Sequence, residues 1–453
     1  MSKGAIGKNV DMTTGVVWKQ LIIFAIPLIL GDMLQQLYST VDSIIVGQYV
    51  GKTALAAVTS PETLINAIIG MSSGLSLGAT IMAARYFGAR DDKKVSDTVH
   101  TSMAIALGIG IIMTIIGLVF APAMLRVLKT PDDVFPEADS YLSIYFTGMI
   151  GLVVYNMASG LLRAFGDSVR PLISLGITSV INVVLDIILV VFFNMGVVGT
   201  AIATIVAIYA SAIYLVIRLM ETKESYRLNL LKLRYNKSIA NSIYAIGIPN
   251  GIQKSLVAFS NLFVIANINA FGSGASAAWG VFRRLDSFII HMIANIGAAE
   301  STFVSQNVGA RKEDRIKESM KFSIILCFTL AAVLDILLMI FRYAFIGIFS
   351  TDPEVMYYGS IIFMTSLWFQ PFNGFCHGLA GVIRGYGDGK GPSYIVILCM
   401  VVLRQIYLNI GIHFTNSIAF VVSCYPFAWV LNAIILTFYY FYKKKNGQLK
   451  LPD

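Results

Sequence analysis

Apolar residues run with few interruptions from Leu21 to Val50, enough at about 1.5 Å per helical residue to cross a bilayer core. Runs of similar length recur along the chain. Hydropathy and helix breakers predict helices near 18–46, 54–82, 97–121, 138–162, 171–193 and 197–219. A second set is predicted near 239–268, 276–304, 321–347, 356–382, 392–412 and 416–441. No ten-residue alternating pattern suggests a β-barrel. The expected fold class is therefore an all-α integral membrane protein with twelve transmembrane helices.

Composition agrees: 57% of residues are hydrophobic, 13% are charged, and the mean hydropathy is +0.74. A soluble domain carries about 25% charged residues. The net charge of +9 would suggest a nucleic-acid partner if it were clustered, but its placement gives another account. With a cytoplasmic N-terminus, the opposite loops hold only Lys52, Arg126, Lys129 and Arg342 of the 34 Lys and Arg. Lys254, Arg283, Arg284 and Arg404 sit in or beside helices, and the rest fall on the N-terminal side of the membrane. This positive-inside asymmetry predicts a multi-pass protein of the cell (inner) membrane with both termini cytoplasmic, and no nucleic-acid partner. The cysteines Cys327, Cys376, Cys399 and Cys424 lie in apolar segments without CxxC spacing and read as small hydrophobes. No cleavable signal is expected at the polar, basic N-terminus.

The chain repeats itself. Phe87-Gly88-Ala89-Arg90 matches Val308-Gly309-Ala310-Arg311 at an offset of 221, which also carries Arg163-Ala164-Phe165-Gly166-Asp167 onto Arg384-Gly385-Tyr386-Gly387-Asp388 and Pro171 onto Pro392. Six helices per half is an even number, so both halves enter the membrane from one side. Two six-helix bundles related by a pseudo-two-fold along the membrane normal follow, a transporter-like arrangement. The expected division is 1–220 for the first bundle, 221–238 for a cytoplasmic linker and 239–453 for the second bundle and basic tail. The repeated Gly-Ala-Arg and Arg-x-x-Gly-Asp motifs read as structural turns.

Intramembrane acids are expensive, so each is a candidate for function. Asp42 lies near the external end of the first helix. Asn182 and Asp186 are i and i+4 on one face of the fifth, and Thr204 falls at a similar depth in the sixth. Two carboxylates, an amide and a hydroxyl at one level could hold a proton or Na⁺, and two close carboxylates can share a proton. Packing alone is the competing reading, but offset 221 places Leu403, Tyr407 and Tyr425 where the first half has Asn182, Asp186 and Thr204. A fold-wide packing need would be kept in both halves. Candidate cavity residues are Asp32, Met33, Gln36, Tyr38, Asn156, Gln253, Gln370 and Asn373. Pro27 and Pro249, at corresponding positions of helices one and seven, are candidate bending points. Asp335 and Glu300 have no partners that spacing identifies.

These motifs resemble one family. Pro27, Tyr38-Ser39-Thr40-Val41-Asp42, Gly47, Gly51 and Ala54-Leu55-Ala56-Ala57 resemble the first-helix pattern of the MATE (multidrug and toxic-compound extrusion) transporters. Gln306-Asn307-Val308-Gly309-Ala310-Arg311 and Arg384-Gly385-Tyr386-Gly387-Asp388 do so as well, and the likeness spans about residues 15–442. The resemblance implies export of small organic cations or amphiphiles in exchange for H⁺ or Na⁺, without a cofactor. It implies that the coupling ion binds in the first bundle, at Asp42, Asn182, Asp186 and Thr204. Helix seven lacks the acid of the NorM subgroup, and Asn373 stands at its helix-ten position, which argues against a cation site in the second bundle. The retained set is closer to DinF-like members and favours H⁺. The chain is expected to act as a monomer. A flippase for lipids or lipid-linked saccharides is the alternative; it would need a basic cavity, from Lys254, Arg283, Arg284 and Arg404. An intramembrane enzyme is not expected, since no HExxH or Ser/Lys arrangement is present.

Overall fold

The computed structural model describes residues 10–59, 61–127, 130–415 and 417–451. Among them there are helices and turns and no strand. Helix α1 is Val17–Ile45 and ends in a π turn, Val46–Val50. A short helix Lys52–Thr59 leads to α2, Glu62–Gly88, then α3, Asp92–Val127. Span α4 is a bent pair, Phe135–Thr147 and Met149–Ala164, with 48° between its halves. Helix α5, Val169–Asp186, runs into a π turn, Ile187–Phe192, and α6 is Gly196–Glu221. The second half holds α7, Lys237–Asn269; α8, Ser273–Gly309; and α9, Glu313–Ile340. Span α10 joins Pro353–Ser366 to Gln370–Gly385 through the 3-10 turn Leu367–Phe369. Span α11 joins Lys390–Ile397 to Arg404–Gly411 through the π turn Leu398–Leu403, and α12 is Ile418–Lys445.

Ten of these are individually long and apolar enough to cross a membrane, and the α4 pair makes an eleventh. With α10 the described residues form twelve spans, six in each repeat. The predicted second span, 54–82, falls within one apolar stretch, Thr53–Gly88, in which the short helix leads into α2 with Pro61 at its N-cap; Ser60 lies outside the described residues. Proline carries no amide hydrogen and sits where a helix starts. Several helices outrun the apolar stretch, as α3 does at Asp92–Lys94, because water satisfies the polar turn. Lys129, one of the loop cations that set the charge asymmetry, lies outside the described residues.

The chain divides into two compact units. One contains the residues up to Asp11 with Ile26–Gly251, the other Met12–Ala25 with Ile252–Asp453. The divisions inside α1 and α7 fall within two or three residues of Pro27 and Pro249. Segment 221–238 is held in the first unit: Tyr226 stacks on Phe165 at 4.2 Å, Asn229 N donates to His100 Nε2, and Arg234 pairs with Asp97 at 2.6 Å.

The repeated motifs fold alike. Arg90 and Arg311 take left-handed φ values of 55° and 58°, and Gly166 and Gly387 take 82° and 90°. In each Gly-Ala-Arg turn the alanine N–H donates to the carbonyl four residues back, Arg85 O in one copy and Gln306 O in the other. Asp167 accepts from Val169 N and Arg170 N, and Asp388 accepts from Gly391 N. Glycine tolerates positive φ at no steric cost, which is why the motif keeps it there.

Candidate functional site

Helix α5 presents one buried polar stripe, Ser174, Thr178, Asn182 and Asp186, at four-residue spacing. Its lower half docks onto α6 through hydroxyls. Ser211 Oγ donates to Ser174 O at 3.0 Å, Ser174 Oγ to Ser211 O at 3.3 Å, and Thr178 and Ser211 share a hydroxyl contact. These bonds set the register that carries Asn182 Nδ2 to Thr204 Oγ1, 3.4 Å apart. In the same antiparallel register, one turn outward, Asp186 comes level with Thr200, whose fully buried hydroxyl has no partner.

Asp186 is fully buried and Asn182 is 1% exposed. Apart from the Asp42 carboxyl, the Asp186 carboxylate has no hydrogen-bond partner, and Asn182 Oδ1 has none. Asp42, on the last turn of α1, completes the group: it and Asp186 act directly on one another, and Asp42 Oδ1 is also buried without a partner. Tyr38, one turn earlier on α1, and Tyr141 on α4 lie within electrostatic reach of Asp42. All four residues predicted from sequence as the coupling set thus gather in the first unit. Thr200 and Tyr141 were missed. The four-residue interval from Thr200 to Thr204 on α6 was the available signal for the first; for Tyr141, on a different helix, there was none.

Both carboxylates adjoin a π turn. Asp186 directly precedes Ile187–Phe192, and Asp42 stands four residues before Val46–Val50. A π turn inserts one residue and frees a carbonyl from the regular ladder, which is why such turns gather at sites that bind or move. Burying an unpaired charge costs several kcal/mol, so a facing pair of carboxylates with orphan oxygens calls for a compensating positive charge. The available donors are hard oxygens, suited to a proton or a small alkali cation. Among the described residues no cluster of three or more His, Cys, Asp or Glu side chains suggests a resident metal.

The cavity candidates do not form one group. In the first unit, Asp32 is within electrostatic reach of Arg163 and Tyr155. Asn156 donates to Ser72 Oγ at 3.2 Å and to Leu152 O at 3.1 Å. Met33, Gln36 and Tyr38 are half-buried on α1. In the second unit, Gln253 is half-buried, whereas Gln370 is fully buried and Asn373 is 7% exposed. The second unit has a different polar centre on α11 and α12. Arg404, 1% exposed, donates to Ser260 Oγ at 2.8 Å and lies over the Tyr425 ring at 4.9 Å. It stands one residue past the position that offset 221 pairs with Asn182, and the π turn Leu398–Leu403 supplies that extra residue.

Comparison with known proteins agrees with this architecture. The probable multidrug resistance protein YoeA of Bacillus subtilis is 28% identical over 441 residues, covering 96% of this chain and 95% of that protein. The multidrug export protein MepA of Staphylococcus aureus is 22% identical over 387 residues, covering 85% and 86%. A solved MOP-superfamily transporter from Pyrococcus furiosus superposes with a TM-score of 0.89 at 22% identity, covering 98% of this chain and 99% of that one. A solved structure described as MATE in the bent conformation gives a TM-score of 0.89 at 21% identity, with the same coverage of 98% and 99%. The family model described as MatE matches the chain twice, at residues 27–188 and 249–410, one match in each repeat. This chain therefore belongs to the MatE family of membrane transporters and is not an enzyme.

Proposed function

We propose that this transporter is a secondary active multidrug efflux antiporter, exporting small organic cations or amphiphiles in exchange for H⁺ or Na⁺, with H⁺ preferred. The observation that carries the reading is the pair of buried carboxylates, Asp42 and Asp186, which interact with one another and still leave orphan oxygens, beside the Asn182–Thr204 hydrogen bond. One inward-moving cation relieves the repulsion between the two acids, and its passage across the membrane supplies about 2.3 kcal/mol per 100 mV. Cation arrival changes the charge held between α1 and α5 beside their π turns. It thereby biases a two-state element toward the conformer with lower drug affinity. The names of the relatives from B. subtilis and S. aureus support drug-like substrates, and the apolar runs with basic loops on one side support the cell membrane with cytoplasmic termini.

Ethidium efflux from proteoliposomes under an imposed pH or Na⁺ gradient tests this. Wild-type protein is expected to run on one gradient, and Asp42→Asn to lose transport while expressing and eluting normally. A fully active Asp42→Asn protein would overturn the scheme. Absence of efflux under either gradient would redirect the search to lipid substrates.

A further inference from the structure

Where the first unit keeps Asn182 and Thr204 beside its two carboxylates, the second unit keeps a cation. Tyr425 stands at the position that offset 221 pairs with Thr204, and Arg404 one residue past the position paired with Asn182. Arg404 lies seven residues inside the end of its helix at Gly411, Tyr425 seven inside the start of α12, and Trp279 six inside the start of α8. At about 1.5 Å per residue the three share one level, about 9–11 Å from the same end of the bundle.

The groups that meet the Arg404 guanidinium are neutral. Its Nη2 donates to Ser260 Oγ of α7 at 2.8 Å, and its central carbon lies 4.9 Å from the centre of the Tyr425 ring. Ser260 Oγ also accepts from Gln405 Nε2 at 2.8 Å and donates to Met400 O in the π turn. Arg404 is 1% exposed, and its Nε is buried without a partner. Among the described residues no carboxylate forms an ion pair with it; Asp286 on α8 pairs instead with Arg283, at 3.8 Å. A second donor borders the same ring. Trp279 is 4% exposed, its ring centre is 5.5 Å from that of Tyr425, and its Nε1 is buried without an acceptor. Trp429 lies 5.9 Å from Tyr425 on the same helix, and Phe282 stacks on Trp279 at 5.2 Å. Guanidinium and indole N–H groups only donate, so neither can satisfy the other. A buried charge with neutral partners alone costs several kcal/mol, and each missing acceptor adds to that cost. The polarity is the reverse of the first site: there, buried oxygens need a cation, and here, buried donors need an anion.

We propose that Arg404, Tyr425 and Trp279 form a binding site for one monovalent organic anion, the carboxylate of an aromatic or amphiphilic molecule. Arg404 Nε supplies a charge-assisted hydrogen bond and Trp279 Nε1 a second donor. The rings of Tyr425, Trp279 and Trp429 take the apolar body. One guanidinium admits one negative charge, which favours a carboxylate over a phosphate monoester or pyrophosphate. The aromatic wall favours an organic anion over a halide. The inference goes beyond the proposed export of cations. It extends the substrate range to molecules that carry a carboxylate, zwitterions included, and it stands whether or not Asp42 couples transport.

The test is equilibrium dialysis of the purified full-length protein with 2-naphthoate, set against its uncharged analogue 2-naphthamide. The wild type is expected to bind the acid at least about tenfold more tightly than the amide, the effect of one hydrogen bond to a charged group. Arg404→Gln is expected to lose that preference and Asp42→Asn to keep it, which separates this site from the coupling site. Trp279→Phe keeps a ring and removes one donor, and is expected to weaken naphthoate binding by at least about threefold. It is the second probe, should Arg404→Gln fail to elute as a folded monodisperse protein. Equal affinity of the wild type for acid and amide, or undiminished naphthoate binding in both variants, overturns the proposal. So does loss of the preference in Asp42→Asn. Displacement of naphthoate by equimolar chloride would assign the site to inorganic anions and overturn its organic reading.

Discussion

Asp167 and Asp388 occupy the same place in the two repeats and have different surroundings. Each caps the helix that follows it through backbone amides. Asp167 adds an ion pair with Arg170 at 3.0 Å, one turn along the same helix. Asp388 instead receives Tyr439 Oη at 2.6 Å and lies 3.5 Å from Lys443, tying α11 to the basic end of α12. Losing a cap costs about 1 kcal/mol, and leaving a half-buried phenol and ammonium without their acceptor adds a comparable amount. Asp167→Ala is therefore expected to lower the thermal unfolding temperature in detergent, and Asp388→Ala to lower it further; equal shifts would refute the role given to Tyr439 and Lys443. The same residue-level logic separates legible from illegible parts of the candidate site. Asp42, Asn182, Asp186 and Thr204 were readable because charge and amide groups are conspicuous in apolar helices. Thr200 was not, because a threonine hydroxyl in a membrane helix usually bonds back to its own helix.

Helices here are held together where side chains are absent. On α2, a β-carbon at Gly74 would come 2.5 Å from Gly251 N, and one at Gly78 would come 2.4 Å from Ile243 O. Conversely, one at Gly247 would lie 2.8 Å from the Leu75 α-carbon. The first part of α7 thus packs backbone to backbone on α2, the close approach that small residues at four-residue spacing permit in membranes. Gly78→Leu is expected to destabilise the protein by about 1–3 kcal/mol or more, since neither backbone can move aside. Gly176 on α5, where an added β-carbon would meet nothing within 4 Å, is the control. Gly176→Ala should be neutral or stabilising by up to about 1 kcal/mol, and detergent melting curves of the two variants side by side would show it. Helix spans were legible from hydropathy, but the π turns at Val46, Ile187 and Leu398 were not, because one inserted residue leaves an apolar run looking the same.

At the scale of the molecule, the charge asymmetry makes a prediction that hydropathy alone does not. If both termini are cytoplasmic, a tag after the Lys443–Lys445 run stays protected in intact cells and becomes reactive only after permeabilisation, whereas a cysteine placed at Thr130 reacts from outside. Labelling of the tag in intact cells would reverse the topology and place the Asp42–Asp186 site on the cytoplasmic side. The duplication has a similar reach. Two copies share turn geometry at Arg90 and Arg311 and at Gly166 and Gly387, yet differ in their buried polar centres.

The amino-acid pattern by itself determined the helical membrane class, the number of spans and the twofold repeat, and it singled out the four residues of the candidate acid site. Each of these is a local or periodic property: a run of apolar residues, a recurring motif, an i, i+4 pair on one face. Tertiary structure alone decided that Gln370 comes within reach of Asp286, because they lie on different helices 84 positions apart and no period relates them. It also decided that the polar segment 221–238 packs through Tyr226 on Phe165, and that a π turn sets Arg404 beside Tyr425. Which faces of separate helices come together depends on close packing and hydrogen-bond satisfaction across the bundle, and these are properties of the folded set of helices that no single stretch of sequence carries.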